Sequence, residues 1–277
     1  MEGEIDRETE QENEREYCQT RELEREGAAR HPGNRHLPAI VTYRMLSILI
    51  PTYQEREAIG ELLQRLAVIR TRLPEAVEVL VIDDRSEDGT PDIAEQILQR
   101  EALGRVLRRE GPRDLTQAIL TGCQSASGDL IAVMDADLSH PPELLPALVE
   151  AVRSGHDVAV ASRYVPGGSV ANWAWRRRVL SWMGCVMARP LVGIADATSG
   201  YFVCKAPVFK ALSVRSHGFK ILLEMLVQGG AQRVCEIPYT FVDRKRGSSK
   251  LNRRVLWLYV LQLGQLYLRR CARRTHA

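Results

Sequence analysis

Asp135 and Asp137 stand one residue apart at the end of an apolar run, Leu130-Ile131-Ala132-Val133-Met134. On extended backbone, side chains at i and i+2 point the same way, so both carboxylates can approach one hard cation. Oxygen donors of this kind suit Mg²⁺ or Mn²⁺, ions that bridge protein carboxylates to substrate phosphates. A plainer alternative has one of the aspartates capping a helix that starts near Pro141. Other apolar runs end in the same way. Pro51-Thr52-Tyr53-Gln54-Glu55 follows Leu46-Ser47-Ile48-Leu49-Ile50, Asp83-Asp84-Arg85-Ser86 follows residues 77–82, and Ser162-Arg163-Tyr164 follows residues 158–161. Acids, hydroxyls and a guanidinium are thus delivered from four separate runs, the residue types of a binding site.

The elements that must position these groups follow from periodicity. The apolar runs have the length of buried strands, and Ile59, Leu62, Leu63 and Leu66 between the first two have helical spacing. Thr90-Pro91 and His140-Pro141-Pro142-Glu143 read as helix starts, with Leu145, Leu148, Val149 and Val152 forming one apolar face after the second. Strand–helix alternation predicts an α/β fold with a mostly parallel sheet flanked by helices. In such sheets ligands bind beyond the carboxyl ends of the strands, where the polar groups gather.

The segments VMDADLSHPPE (133–143), IPTYQERE (50–57), VIDDRSEDGT (81–90), ASRYVPGG (161–168), DATSGYF (196–202), GFKILLE (218–224) and FVDRKRGSSKL (241–251) together resemble the dolichyl/polyprenyl-phosphate mannosyltransferase group of glycosyltransferase family 2. The resemblance spans about residues 45 to 252. It implies a GT-A, Rossmann-like fold and metal-dependent inverting transfer of mannose from GDP-mannose to a polyprenyl phosphate. A UDP-glucose-dependent polyprenyl-phosphate glucosyltransferase is the alternative, and a nonfunctional partner subunit a third reading. It also implies residue roles. Pro51, Tyr53, Glu55, Ile82 and Asp84 match positions that cradle the nucleotide's base and ribose. Asp135, Ala136, Asp137 and Ser139 match the metal and diphosphate positions, with Asp135, Asp137 and Ser139 the metal ligands and Asp137 the foremost. Arg163, Arg244 and Lys250 match basic residues around the phosphates, so Asp137, Arg163 and Arg244 are the expected catalytic groups. Many relatives have Gln where Ser139 stands, and the loop Gly111-Pro112-Arg113-Asp114-Leu115-Thr116 departs from the family's glycine-rich pattern.

Chemistry accounts for the lack of an assigned general base. A phosphate monoester, with a second pKa of about 6, is largely ionised near neutrality and attacks without one. His140 and His217 therefore read as incidental, His140 as a helix-starting residue, and Asp196 as positional. Arg163 on this reading handles phosphate rather than the fold.

The bulk composition bounds the rest. The 277-residue chain has net charge +3, but residues 1–30 carry −6 and the remainder +9. The first 44 residues read as a charged tail, disordered or helical, ahead of a catalytic domain at 45–251 and a basic C-terminal helix at 252–277. Asn172-Trp173-Ala174-Trp175-Arg176-Arg177-Arg178 mixes indoles with cations as expected at lipid headgroups, and the stretch 253–274 is either an interfacial helix or a last helix packed on the core. No run is long enough to span a bilayer, and the N-terminus lacks the apolar core of a signal peptide. Six scattered cysteines without a C-x-x-C pair suit a reducing compartment. The expectation is a cytoplasmic protein, peripheral on the cytoplasmic face of a membrane, with room for a membrane-anchoring subunit. A dinucleotide-dependent oxidoreductase would need G-x-G-x-x-G where Pro51-Thr52-Tyr53 stands, and no nucleic-acid-binding module is recognisable.

Overall fold

The computed structural model describes residues 43–212, 220–228, 233–242 and 259–268. Strand β1 (Met45–Thr52) lies in the middle, parallel to β2 (Ala76–Asp83) on one side and β4 (Leu130–Val133) on the other. Strand β3 (Gly104–Arg108) extends the sheet beyond β2, and β5 (Val158–Ser162), β7 (Phe202–Lys205) and β8 (Val234–Pro238) complete it in the order β3-β2-β1-β4-β7-β5-β8. Strand β7 alone runs antiparallel, to both β4 and β5. Strands β6 (Ser169–Ala171) and β9 (Thr240–Val242) form a separate parallel pair. The mostly parallel α/β sheet expected from the sequence is the one observed.

Successive residues of a strand face opposite sides of the sheet, and the central strands are apolar on both. Leu46, Ile48 and Ile50 enter one core with Val79, Val81, Leu130 and Ala132, whereas Leu49, Leu80, Ile82, Ile131 and Val133 enter the other. The first core is covered by α1 (Arg56–Ile69), α2 (Thr90–Arg100) and α4 (Leu145–Arg153). The second is covered by α3 (Leu115–Ser125), α5 (Trp175–Val192), α6 (Ala206–Lys210), α7 (Ile221–Gln228) and a helix α8 at residues 259–268. Tyr259, Leu263 and Leu266 of α8 pack on that core, while Val260, Leu261 and Leu268 stay exposed. The C-terminal helix thus has a packed face and a bare one.

Helix starts bring the strand ends together. The Asp88 carboxylate accepts from Thr90 N at 3.0 Å and Arg56 N at 3.2 Å, which ties the first turns of α2 and α1 to one side chain. Asp114 caps α3 by accepting from Gln117 N at 3.0 Å. After His140 the chain makes a short 3₁₀ turn, Pro142–Leu144, before α4 begins at Leu145. Leu145, Leu148, Val149 and Val152 are buried as the spacing requires.

Candidate active site

Of the five non-glycine residues with left-handed φ among the described residues, three stand past the ends of the central strands. Gln54, Arg85 and Leu138 hold left-handed φ values of 57°, 68° and 63° just past β1, β2 and β4. Non-glycine residues in this region cost energy and concentrate where a loop is shaped for a ligand.

Beside them opens a cavity of about 470 Å³ whose walls include Asp135, Asp137, Ser139, His140, Arg163 and Lys220. Both carboxylates are half-buried, the Asp135 side chain 43% exposed. Asp137 Oδ1 accepts from Ser139 N at 3.1 Å and Ser139 Oγ at 2.5 Å, which folds the loop back and aims hydroxyl and carboxylate at one space. Asp137 does not cap a helix: the residue flanking the 3₁₀ turn is Pro141. Gly200 faces the pair, where an added Cβ would stand 3.2 Å from His140 Cε1 and 3.5 Å from Asp135 Oδ2. The bare glycine leaves room against the carboxylate. Two carboxylates and a hydroxyl make an all-oxygen donor set that fits a hard divalent cation, with the remaining positions left for phosphate and water. Among the described residues no group of three or more His, Cys, Asp or Glu could hold a metal by protein ligands alone.

His140 differs from the sequence reading. It is buried and starts no helix: its Nδ1 accepts from Asp135 N at 2.9 Å, and Nε2 lies 3.8 Å from Asp135 Oδ2. Its ring stacks on Tyr201 with centroids 5.1 Å apart and meets Tyr239 and Phe241 edge-on. Burial holds its pKa below the ordinary histidine range. A neutral imidazole with Nδ1 as acceptor fixes the turn that presents Asp135.

Arg163 also differs. Its Nε and Nη2 each lie 2.7 Å from the Asp196 carboxylate, Nη2 adds the Thr198 hydroxyl at 3.0 Å, and Asp196 accepts Arg163 N as well. Burial by itself would raise the Asp196 carboxyl, but the hydrogen bonds and charge of Arg163 outweigh it and hold the acid low. Burial likewise works against the Arg163 guanidinium, and Asp196 more than restores it. Glu236 braces the pair from behind, accepting from Ser162 Oγ at 2.7 Å and Asp196 N at 2.9 Å. Sequence gave no hint of Glu236. Arg163 therefore reaches the cavity with most of its donors already engaged.

The expected nucleotide residues form a neighbouring group and do not line this cavity. Pro51 pairs with Ile82 across β1 and β2, and the backbone N of Asp84 donates to Thr52 O at 2.9 Å. The Ile82 side chain is in the core, so only its backbone is available there. Both Asp84 oxygens hold the following loop, one accepting from Arg109 at 2.5 Å and the other from Asp114 N at 2.7 Å. Glu55 flanks α1, and its backbone N donates to Thr90 Oγ1 at 3.0 Å. Arg113 lies over the Tyr53 ring, 4.5 Å from its centroid. Ala136 is buried in the first core. Arg244, Lys250 and His217 lie outside the described residues.

The far wall is apolar. Leu180, Met183 and Met187 of α5 and Val260 of α8 line the cavity, and Met183, Met187 and Val260 are also exposed. They continue into Trp175, Val179, Trp182 and Val186, which follow helical spacing along the outer face of α5. Trp173, read from the sequence as a headgroup contact, instead packs on Phe241 with Arg177 over its ring at 3.9 Å.

Solved structures share this fold. Mannosyl-3-phosphoglycerate synthase from Rubrobacter xylanophilus superposes with a TM-score of 0.62 at 19% identity, covering 83% of this chain and 76% of that one. Glucosyl-3-phosphoglycerate synthase from Mycobacterium tuberculosis, crystallised with Mn²⁺, UDP-glucose and glycerol 3-phosphate, gives 0.60 at 18% identity over 87% and 86% of the two chains. The fold is that of the GT-A glycosyltransferases. The model of glycosyl transferase family 2 matches residues 47–227, and the chain belongs to that family. It is 39% identical over 226 residues to a dolichol-phosphate mannosyltransferase of Pyrococcus furiosus, covering 80% of this chain and 63% of that protein's length. It is 35% identical to a dolichol-phosphate mannosyltransferase of Saccharomyces cerevisiae over 80% of this chain and 86% of that protein. Identity to an undecaprenyl-phosphate mannosyltransferase of Micrococcus luteus is 37%, over 76% and 88% of the two chains.

Proposed function

We propose that the protein transfers mannose from GDP-mannose to a polyprenyl phosphate, with inversion at the anomeric carbon, at the cytoplasmic face of a membrane. One observation carries this reading: a single cavity is lined both by a carboxylate pair and by apolar residues of α5, whose outer face is exposed. An acceptor with an anionic head and a hydrocarbon tail suits such a mixed lining. The names of the relatives agree with it.

On this reading Asp135, Asp137 and Ser139 hold Mg²⁺ or Mn²⁺ against the donor's diphosphate. A bound divalent cation supplies charge stabilisation to the leaving diphosphate. Pro51, Tyr53, Glu55, Ile82 and Asp84 shape the nucleotide side, with Asp84 acting through the loop it anchors. Ala136 lets the chain pass close behind the diphosphate. Arg163, Arg244 and Lys250 add positive charge around the phosphates, and His140 keeps Asp135 in position. The acceptor phosphate oxygen attacks without a base because it is already ionised. No helix among the described residues is long and apolar enough to cross a membrane. Trp175, Trp182 and the arginines of α5 suit an interfacial position, which leaves room for an anchoring subunit.

The test is to incubate the full chain with vesicles carrying polyprenyl phosphate and with radiolabelled GDP-mannose or UDP-glucose. Label from GDP-mannose is expected in the lipid phase. Label from UDP-glucose alone would replace the donor, and no lipid label from either would overturn the activity.

A further inference from the structure

Lys220 stands on the cavity wall apart from the carboxylate pair and the Arg163–Asp196 pair. It directly precedes α7 and lines the cavity beside Arg163. Its Nζ donates to Thr198 O at 3.2 Å, and the hydroxyl of that same threonine accepts from Arg163. The backbone carbonyl of Lys220 accepts from Gln262 Nε2 of α8 at 3.5 Å, which tethers the residue to a packed helix.

Two of the cations that line the cavity, Arg163 and Lys220, differ in what lies against them. Arg163 is matched by Asp196 through a bidentate contact. Lys220 has no carboxylate within ion-pair distance among the described residues. An ammonium has three donors, and one of them goes to Thr198. Burial, and after it the charge of Arg163, press its pKa below the ordinary lysine value, against the opposing charges of Asp196 and Asp135.

The reaction class brings an anion. A phosphate monoester must approach a cavity that already contains Asp135 and Asp137 and a donor diphosphate, and like charges at close range repel. We propose that Lys220 binds the phosphate of the acceptor and helps draw it to the anomeric carbon. This assignment rests on the activity proposed above and deepens it.

Steady-state transfer to a short-chain polyprenyl phosphate in detergent, together with GDP binding by calorimetry, tests it. Lys220→Met is expected to raise the acceptor KM about 10- to 100-fold, the worth of one charged hydrogen bond. GDP affinity and Tm should stay near wild type, and Lys220→Arg, which keeps the charge, should recover part of the acceptor KM. An unchanged acceptor KM, or a loss of GDP affinity equal to the loss for acceptor, would overturn the assignment. So would a fall in Tm and kcat without any KM split, the mark of a purely structural lysine. If Lys220→Met does not fold, Lys220→Arg puts the same question: the acceptor KM must move while GDP affinity holds, and both moving together overturns the role. Wild-type protein that moves no sugar to the lipid phosphate sinks the activity and the Lys220 role with it. Wild-type transfer with an indifferent Lys220 sinks the role alone.

Discussion

The two polar walls of the cavity are built on opposite terms. Asp135 and Asp137 sit on a loop past β4, partly open to solvent, with Asp137 held by Ser139 and Asp135 by its own backbone link to His140. Arg163 and Asp196 are buried against one another, 9% and 0% exposed, with Thr198 and Glu236 satisfying what remains. The first wall is half-buried on a loop; the second is buried structure that also faces the cavity. Charged side chains at a site therefore differ in what their loss should do, and the difference can be measured.

The largest expected effect is at the open wall. Asp137→Ala should reduce transfer more than about a thousandfold, roughly 4 kcal/mol of transition-state stabilisation, because it removes a ligand for the proposed cation. Its unfolding free energy from urea titration should fall by under about 1 kcal/mol, as for a partly exposed side chain. Excess chelator should abolish wild-type turnover reversibly. Near-normal turnover in the variant, or in chelator, removes the cation from the reading.

The closed wall should respond the other way round. Arg163→Ala leaves the Asp196 carboxylate buried without its partner, a change that costs about 3 kcal/mol or more. Destabilisation, seen as a lower urea midpoint, should therefore accompany any loss of activity. Replacing both partners by apolar residues, Arg163→Met with Asp196→Leu, should recover much of that stability and none of the activity. A stable but inactive Arg163→Ala would erase the contrast between the walls.

A smaller effect follows from the same pair. The Asp196 carboxyl is held below its unfolded value, so its contribution is complete above the ordinary aspartate pKa of about 3.9 and is lost as pH falls below it. Arg163 stays charged throughout that window. Between pH 5 and pH 3 the urea midpoint should fall more steeply for wild type than for the apolar double variant. Parallel slopes would mean that other carboxylates carry the acid sensitivity.

Much of the edge was legible from sequence because strand ends are local. Residues 79–82 and 158–161 are buried in strands, and the polar residues after them stand at the same edge of the sheet, although those past β2 do not line the cavity. The aspartate pair could be read from its spacing behind an apolar run. What escaped depends on contacts across sequence. Arg163 meets Asp196 at a separation of 33 residues, and nothing near either position announces that its charge is already matched. His140 looked like a helix start because prolines follow it, yet burial under Tyr201 and Tyr239 decides its role. Trp173 read as a membrane contact from its neighbours' charge, whereas Phe241, brought in by β9, supplies its packing partner. No strand was read at residues 202–205, where β7 lies, and its antiparallel direction depends on pairing with β4 and β5.

The smallest effect sharpens the comparison on the nucleotide side. Asp114 accepts from Gln117 N as the cap of α3, and its own N donates to Asp84. Asp114→Ala removes the cap but keeps the backbone bond to Asp84, so the loop should stay in place. The expected cost is about 1 kcal/mol of stability, the usual worth of an N-cap. GDP affinity should change by less than about threefold, well under 1 kcal/mol. This would put Asp84 and its loop with the closed wall, as structure that shapes a site from behind. A much larger loss of GDP affinity with stability preserved would move them to the open wall instead, with Asp114 itself contacting the nucleotide.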